Sequence, residues 1–290
     1  AVSCGRKTGD GPTVSRFDGF TQGTTYHILV KSDGPLHMEN EIDSLLTEVD
    51  NSMSLYNPQS LLSRLNRNET DSVDGFIAEC IRTARRIGYD KIAVENGRLR
   101  KADPRMQIDL NSIAQGATSD YIAAYFEKLG IEEYMIEVGG EIFCRGLNAK
   151  GKPWVVGIDR PKEGNFTPGA DLQVKISLSG KGLATSGNYR KFRTDSSGRK
   201  IVHTVDPRTG QPVTSDLLSA TVVAETSAEA DAYGTALMVM GLERGKEFLA
   251  AHPEIQAYLI YSDEQGRFQT YVTPELGRTI RSEERRVGKE

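Results

Sequence analysis

The spacing of apolar residues changes along the chain, and the elements can be read from it. Over residues 17–31 apolar and polar positions alternate, with Tyr26, Ile28 and Val30 on one face. That predicts a strand, interrupted near its start by Gln22-Gly23-Thr24. Met38, Ile42, Leu45, Leu46, Val49 and Met53 follow helical spacing. A turn at Asn57-Pro58 precedes a short helix over 61–65. Phe76, Ile77, Cys80, Ile81, Ala84 and Ile87 predict a third helix, with Cys80 as a core residue. Residues 92–99 read as a hairpin across Asn96-Gly97, a type I′ signal.

Residues 106–110 are strand-like and lead into NSIAQGATSDYIAAYFEKLG, a helix closed by Gly130. Residues 134–138 form a strand ending in Gly139-Gly140. Strands follow over 154–158, 172–178, 200–205 and 218–223. A helix pair comes next, opened by Thr226 and Glu229 as a T-x-x-E capping box. A hairpin of IQAYLIY and RFQTYVT closes the body. Strands and helices mix without regular βαβ alternation, so the predicted class is α+β with mainly antiparallel sheets and packed helices. One large domain is expected over 17–280, behind a flexible tether over 1–16. The charged tail RSEERRVGKE, 281–290, reads as disordered, with a foreign origin left open.

Composition narrows the class without naming a function. The chain has 290 residues, 38% hydrophobic and 26% charged, ordinary for a soluble globular protein. A net charge of -4 offers no basic patch for nucleic acid. No apolar run approaches the ~18–20 residues of a membrane span. The cysteines Cys4, Cys80 and Cys144 lack metal-site spacing, and their odd number argues against a full disulfide framework. Cys4 is followed by the polar run GRKTGDGPTVSR, the pattern of a processed bacterial lipoprotein near its acylation site; the alternative is an ordinary cysteine in a disordered start.

The familiar phosphate-loop, dinucleotide, nucleophile-elbow and zinc-protease motifs are absent. What remains is scattered. Asp231 and Thr235 are four residues apart on a predicted helix, so they share a face where two oxygens could hold a hard cation such as Mg²⁺. The alternative is two solvent-facing residues. His203 ends a strand-like segment, as a functional or a merely half-exposed histidine. Gly139-Gly140 would let a ligand approach the backbone. Gly116 lies at a helix start whose amides could receive an anion, with Asp109 just before it. Residues 185–189, TSGNY, set small polar residues before an aromatic. Each of these glycine-flanked segments, taken alone, reads first as a turn or cap.

Their order carries more. TQGTTY, MSLYNPQSLLSRLN, IDLNSIAQGATSD, IEVGGEIFCRG, WVVGIDRP, LATSGNYRKF, HTVDPRTGQP and ADAYGTALMVMG occur in succession, and from about residue 17 to 279 the chain resembles the ApbE family of FAD:protein FMN transferases. The resemblance implies an ApbE-like (T-fold-like) domain. It implies Mg²⁺-dependent transfer of FMN from FAD to a Thr or Ser of a target flavoprotein, with AMP released. It also implies a lipid anchor at Cys4 on the periplasmic side of the bacterial inner membrane. The implied metal ligands are Asp231 and Thr235, an oxygen from the Ser112-Ile113-Ala114 segment, and only the carbonyl of Gly234, where the family often has a polar residue. His203 matches the family's functional histidine and is the candidate base for the acceptor hydroxyl. The implied FAD contacts are Gln22, Tyr56, Asp109, Gln115, Gly139, Gly140 and Val205. Gln22 stands where Met is usual, and Gln115 where Lys is common.

The chain also departs from the family. Between SRLN and MQIDL the family carries several dozen further residues that help wall the flavin site, whereas here ARRIG runs straight into YDKIAVENG. Ile81, Ala84 and Ile87 on one side, and Ile92 and Val94 on the other, are therefore expected to lack a covering layer. An FAD pyrophosphatase and a non-catalytic FAD-binding protein are the alternative functions.

Overall fold

Residues 12–87, 90–159, 172–187, 192–194, 200–202, 205–206, 211–213, 216–263 and 265–282 are described by the structure, a computed structural model. The first part of the chain gives β1 (Thr13–Thr21), β2 (Thr24–Ser32), α1 (Glu39–Met53), α2 (Leu61–Asn66), α3 (Gly75–Ile87), β3 (Ile92–Glu95) and β4 (Arg98–Lys101). The middle gives α4 (Ala114–Lys128), β5 (Tyr134–Val138), β6 (Glu141–Arg145), β7 (Trp154–Asp159), β8 (Leu172–Leu178) and β9 (Lys181–Gly187). Short strands follow: β10 (Phe192–Thr194), β11 (Lys200–Val202), β12 (Val205–Asp206) and β13 (Gln211–Pro212). The last part gives β14 (Leu217–Ala224), α5 (Ser227–Met240), α6 (Leu242–Ala251), β15 (Gln256–Ser262), β16 (Phe268–Val272), α7 (Pro274–Thr279) and β17 (Ile280–Ser282).

Eight strands form one sheet in the order β1-β2-β5-β6-β9-β14-β15-β16. Every neighbouring pair is antiparallel. Helices cover one face: Ile28, Val30 and Ile136 pack with Ile42, Leu46, Ile122 and Phe126, and Val222, Ala257 and Leu259 pack with Leu237 and Leu249. The other face carries Cys144, Leu183, Val223, Tyr258 and Ile260 against Trp154, Val156 and Ile176 of the three-stranded sheet β17-β8-β7. Covering both faces explains why β14 is buried along almost its whole length. The α+β, mainly antiparallel expectation is met.

Four local expectations change. Residues 17–31 are not one interrupted strand. Gln22 and Gly23 form a two-residue turn with φ of 51° and 75°, and β1 pairs with β2 in register from Thr13↔Ser32 to Thr21↔Thr24. Residues 106–110 form no strand. Ile108 instead bonds through both its N–H (2.7 Å) and its carbonyl (2.9 Å) to the Asn66 side chain. The apolar faces beside the gap need no extra layer. Ile81 and Ile92 are buried in one cluster with Ile77, Leu99, Ile108 and Leu110, with Ala84 and Val94 packed against it. The Ile87 side chain lies outside the described residues. Finally, β1 opens at Thr13 and β17 runs through Ser282, so ordered strand extends past both expected ends of the domain. Cys4 lies outside the described residues. Cys80 is a buried free thiol, as expected for a core cysteine, and Cys144 is a second buried free thiol. Among the described residues no helix is long and apolar enough to cross a membrane.

Candidate functional site

Helix α4 is the spine of the site. The chain tightens into it as Ile113 and Ala114 N–H both donate to the Leu110 carbonyl, at 2.9 and 2.8 Å. No side chain of its own caps this end. A carboxylate from α5 takes part of that role: Gly116 N–H donates to Asp231 Oδ2 at 3.3 Å. One amide at this helix start is thus taken by the protein's own carboxylate. Asp120, one turn further along α4, does the converse. Its Oδ1 and Oδ2 accept from Ser227 and Ala228 N–H at 2.9 and 2.8 Å, at the start of α5. Each helix thus places a carboxylate against the positive end of the other's dipole. Thr226 Oγ1 also accepts from Glu229 N–H at 3.1 Å, the predicted cap.

The crossing is close because two glycines allow it. A Cβ on Gly116 would lie 2.4 Å from the Ser227 carbonyl oxygen, and one on Gly182 of β9 would lie 2.2 Å from Ser227 N. The first turn of α5 fits between α4 and β9 only where both lack side chains.

Asp231 is 5% exposed, not the surface residue of the alternative reading. Burial pushes its carboxyl above the ordinary range; the Gly116 N–H opposes this, and the Asp120 charge adds to it. Burial raises Asp120 likewise, against its two backbone N–H bonds. One turn past Asp231, Thr235 Oγ1 lies 3.3 Å from Ser186 Oγ of β9. A Cβ on Gly234 would lie 2.9 Å from that same Ser186 oxygen, so Gly234 serves close packing against β9. The Ala114 carbonyl accepts from Thr118 Oγ1 at 2.7 Å. Ser112 is half-buried just ahead of α4.

Gln22 and Gly139 come to the same helix start. Gln22 Nε2 donates to Thr118 Oγ1 at 2.7 Å. Gly139, at φ 69°, sits so close that a Cβ would lie 3.0 Å from Thr24 Cγ2 and 3.3 Å from Gln115 Cγ. Gly140, at φ 109°, faces open space. Gly139-Gly140 is thus the turn between β5 and β6, required by backbone geometry as well as by close approach. Tyr56 is 96% exposed and shares a cleft of about 490 Å³ with Gln22, Gly23, Asp50, Ser54 and Asn57. Asp109 is exposed; its Oδ1 accepts from Asn111 N–H at 2.8 Å and shapes the entry to α4. Val205 pairs through its backbone with Pro212. The Val205 side chain and His203 lie outside the described residues.

Sequence reasoning missed Thr118 and Asp120 and gave Ser186 no role. Both lie in the quoted ATSD segment, and that was the available signal.

A larger cleft of about 720 Å³ lies between α1, α3 and α4 and reaches the α4–α5 crossing, lined by residues that include Val49, Phe76, Tyr121, Asp120 and Ala228. Its carboxylates have structural work already: Glu48 accepts from Tyr121 OH at 2.8 Å and Asp74 caps α3 through Ile77 N–H at 2.9 Å. Volume alone does not make it the reactive centre.

The donor set at the α4–α5 crossing is all oxygen: a buried carboxylate, a hydroxyl and a carbonyl. Among the described residues no group of three or more His, Cys, Asp or Glu gathers to hold a metal. One carboxylate with neutral oxygens suits Mg²⁺, which takes few protein charges and completes its shell with water and substrate phosphate. A buried carboxyl with raised proton affinity is also a group that a cation would stabilise in its charged form.

The chain is similar to proteins of known name. The FAD:protein FMN transferase of Haemophilus influenzae is 31% identical over 309 aligned positions, covering 87% of this chain and 88% of that protein. The FAD:protein FMN transferase of Klebsiella pneumoniae is 36% identical over 204 positions, 69% of this chain and 56% of that protein. The solved structure of the flavin transferase ApbE from Vibrio cholerae superposes with a TM-score of 0.80 at 28% identity, covering 92% of this chain and 99% of that one. The 309 positions of the first alignment exceed the 290 residues here, so that relative carries residues without a counterpart. The ApbE family profile matches residues 22–88 and 77–259, two stretches that overlap within α3, where the sequence places the gap. With the profile spanning most of its length, this chain belongs to the ApbE family.

Proposed function

We propose that the protein transfers FMN from FAD to a Thr or Ser hydroxyl of a target flavoprotein, with Mg²⁺ and with release of AMP. The observation that carries this reading is the buried Asp231 carboxylate at the α4–α5 crossing, in a family whose relatives are named for that reaction. The acceptor oxygen forms a bond to the FMN phosphorus. The phosphorus–oxygen bond to the AMP side breaks, and AMP leaves with the bridging oxygen. Bound Mg²⁺ supplies charge neutralisation at the pyrophosphate. Asp231 is the carboxylate to hold it, with the Thr235 hydroxyl, the Ala114 carbonyl and the Ser112 segment; Gly234 has only its carbonyl to offer. His203 is the candidate base that takes the acceptor proton.

Gln22, Tyr56, Asp109, Gln115, Gly139, Gly140 and Val205 are the candidate FAD contacts. The bare ring of Tyr56 offers a stacking face. Gln115 brings no charge to a phosphate, unlike the family's common Lys. We further propose a lipoprotein of the cell envelope, held at Cys4 on the periplasmic side of the inner membrane; the support is Cys4 and the polar run behind it. Recovery of the acylated protein with membranes on fractionation is expected, and wholly cytosolic, unacylated protein would refute the anchor.

Chromatography of AMP after incubation with FAD tests the chemistry. AMP should appear only with Mg²⁺ and rise when an acceptor domain is added. AMP with free FMN and an unlabelled acceptor would instead indicate a pyrophosphatase. No AMP above a no-enzyme control would indicate a protein that binds FAD without cleaving it.

A further inference from the structure

A threonine inside a helix often turns its hydroxyl proton back to the carbonyl four residues earlier. Two threonines here do so. Thr47 Oγ1 donates to the Asp43 carbonyl at 2.8 Å, and Thr118 Oγ1 donates to the Ala114 carbonyl at 2.7 Å. Thr235 on α5 does not follow them. Among the described residues the partner of its hydroxyl is Ser186 Oγ on β9, at 3.3 Å. The neighbouring position explains how the two meet. A Cβ on Gly234 would lie 2.9 Å from Ser186 Oγ and 3.5 Å from both Ser186 Cβ and the Ala220 carbonyl oxygen. A side chain at 234 would press on the Ser186 hydroxyl, and its absence leaves that hydroxyl room beside Thr235. Ser186 is set in place by its strand, paired in register with Ala220 of β14.

We propose that Ser186 is a positioning residue for the cation: its Oγ accepts the Thr235 hydroxyl proton, so that Thr235 Oγ1 keeps a lone pair for Mg²⁺. This rests on the Mg²⁺ reading given above. A hydroxyl binds a cation through a lone pair and has to turn its proton elsewhere. Without a cation either oxygen of the pair can donate, and at 3.3 Å the contact is weak. A cation on Thr235 Oγ1 polarises its O–H, makes Thr235 the donor and strengthens the bond to Ser186. Ser186 therefore acts on the cation through Thr235 and not as a ligand itself.

The test reads cation binding directly, on the full chain without FAD. Mn²⁺ stands in for Mg²⁺, since both take oxygen donors in octahedral sites. Free Mn²⁺ is counted by electron paramagnetic resonance, with Mg²⁺ added as competitor. Wild type, Ser186→Ala, Thr235→Val and the double variant are titrated, and each is also melted with a chelator present. Ser186→Ala should bind about 3–10-fold more weakly, the worth of one neutral hydrogen bond. Thr235→Val should bind more weakly still. The double variant should match Thr235→Val, because the hydroxyl through which Ser186 acts is already gone. The Tm of Ser186→Ala under chelator should equal that of wild type, because the bond forms fully only with the cation.

An unchanged Mn²⁺ dissociation constant in Ser186→Ala would overturn the proposal. So would losses that add in the double variant, which mark a residue acting independently of Thr235. A lowered Tm of Ser186→Ala under chelator would overturn it too, as the sign of a residue that only packs β9 on α5. Wild type that takes up no Mn²⁺ would sink the Mg²⁺ reading and this inference with it. Wild type that binds Mn²⁺ while Ser186→Ala matches it would sink the inference alone.

Discussion

Asp120 and Asp231 exchange helix caps. Asp120 on α4 holds the first two N–H groups of α5, and Asp231 on α5 receives the Gly116 N–H in the first turn of α4. The candidate metal carboxylate is thus placed by the same contact that locks the two helices together. Asp120→Asn leaves one acceptor oxygen for two donors. It should cost about 1–2 kcal/mol of stability, read as a lower urea midpoint, and should raise the Mg²⁺ concentration for half-maximal rate because Asp231 loses its fixed platform. An unchanged midpoint would mean that the cap contributes nothing.

Gly116 and Gly75 should respond oppositely to a methyl group. At Gly116 the new Cβ meets a backbone oxygen at 2.4 Å, which no rotamer can relieve. Gly116→Ala should destabilise by about 2 kcal/mol or more through forced backbone movement. At Gly75, the first residue of α3, a Cβ meets nothing within 4 Å. Gly75→Ala should be neutral or stabilise by about 0.4–1 kcal/mol. Thermal melts of the two variants check this pair, and equal effects would contradict the close crossing.

The pH dependence of the metal-free protein follows from burial. Asp231 has a folded-state pKa above its unfolded one. From about pH 3.9, the ordinary Asp value, up to the raised value, the unfolded chain is ionised at this group while the folded one keeps its proton. The folded state binds more protons, so stability falls as pH rises through that window. Melts from pH 4 to 8 with a chelator should show this decline, and Asp231→Asn should flatten part of it. Added Mg²⁺ should offset it in wild type only. A wild-type profile that matches Asp231→Asn would show that the carboxyl is not buried in this way.

Asp231→Ala removes the candidate metal carboxylate at the crossing. Turnover that depends on Mg²⁺ should vanish, and circular dichroism should show the fold intact. Wild-type turnover at limiting Mg²⁺ would remove Asp231 from the site. His203→Asn should slow transfer far more than it weakens FAD binding, since a base acts on the acceptor hydroxyl. Equal losses in rate and binding would make the histidine structural.

Local chemistry made part of this legible in advance. Asn96-Gly97 announced its turn and adopts φ of 52° and 72°. Thr226 capped α5 as its motif required, and helical spacing found α1. The β1–β2 turn was hidden because Gln at a left-handed position is not a turn signal. Residues 106–110 alternate like a strand, yet Ile108 bonds a side chain 42 residues away. The spacing of Asp231 and Thr235 gave a shared face but not which way it points. That is set by Gly116 and Gly182, which lie far off in sequence and matter only by having no side chain. The resemblance to a family brought the candidate residues together. The caps exchanged by Asp120 and Asp231 join positions more than a hundred residues apart, and no local pattern records them.

Covalent labelling of an acceptor protein tests the central claim most directly. The protein is incubated with FAD, Mg²⁺ and a flavin-acceptor domain, then denatured and run on a gel viewed by flavin fluorescence. The account predicts a fluorescent acceptor band that requires Mg²⁺, is lost with Asp231→Ala, and is lost when the acceptor Thr or Ser is replaced by Ala. An acceptor that stays dark while AMP and free FMN accumulate would contradict transfer.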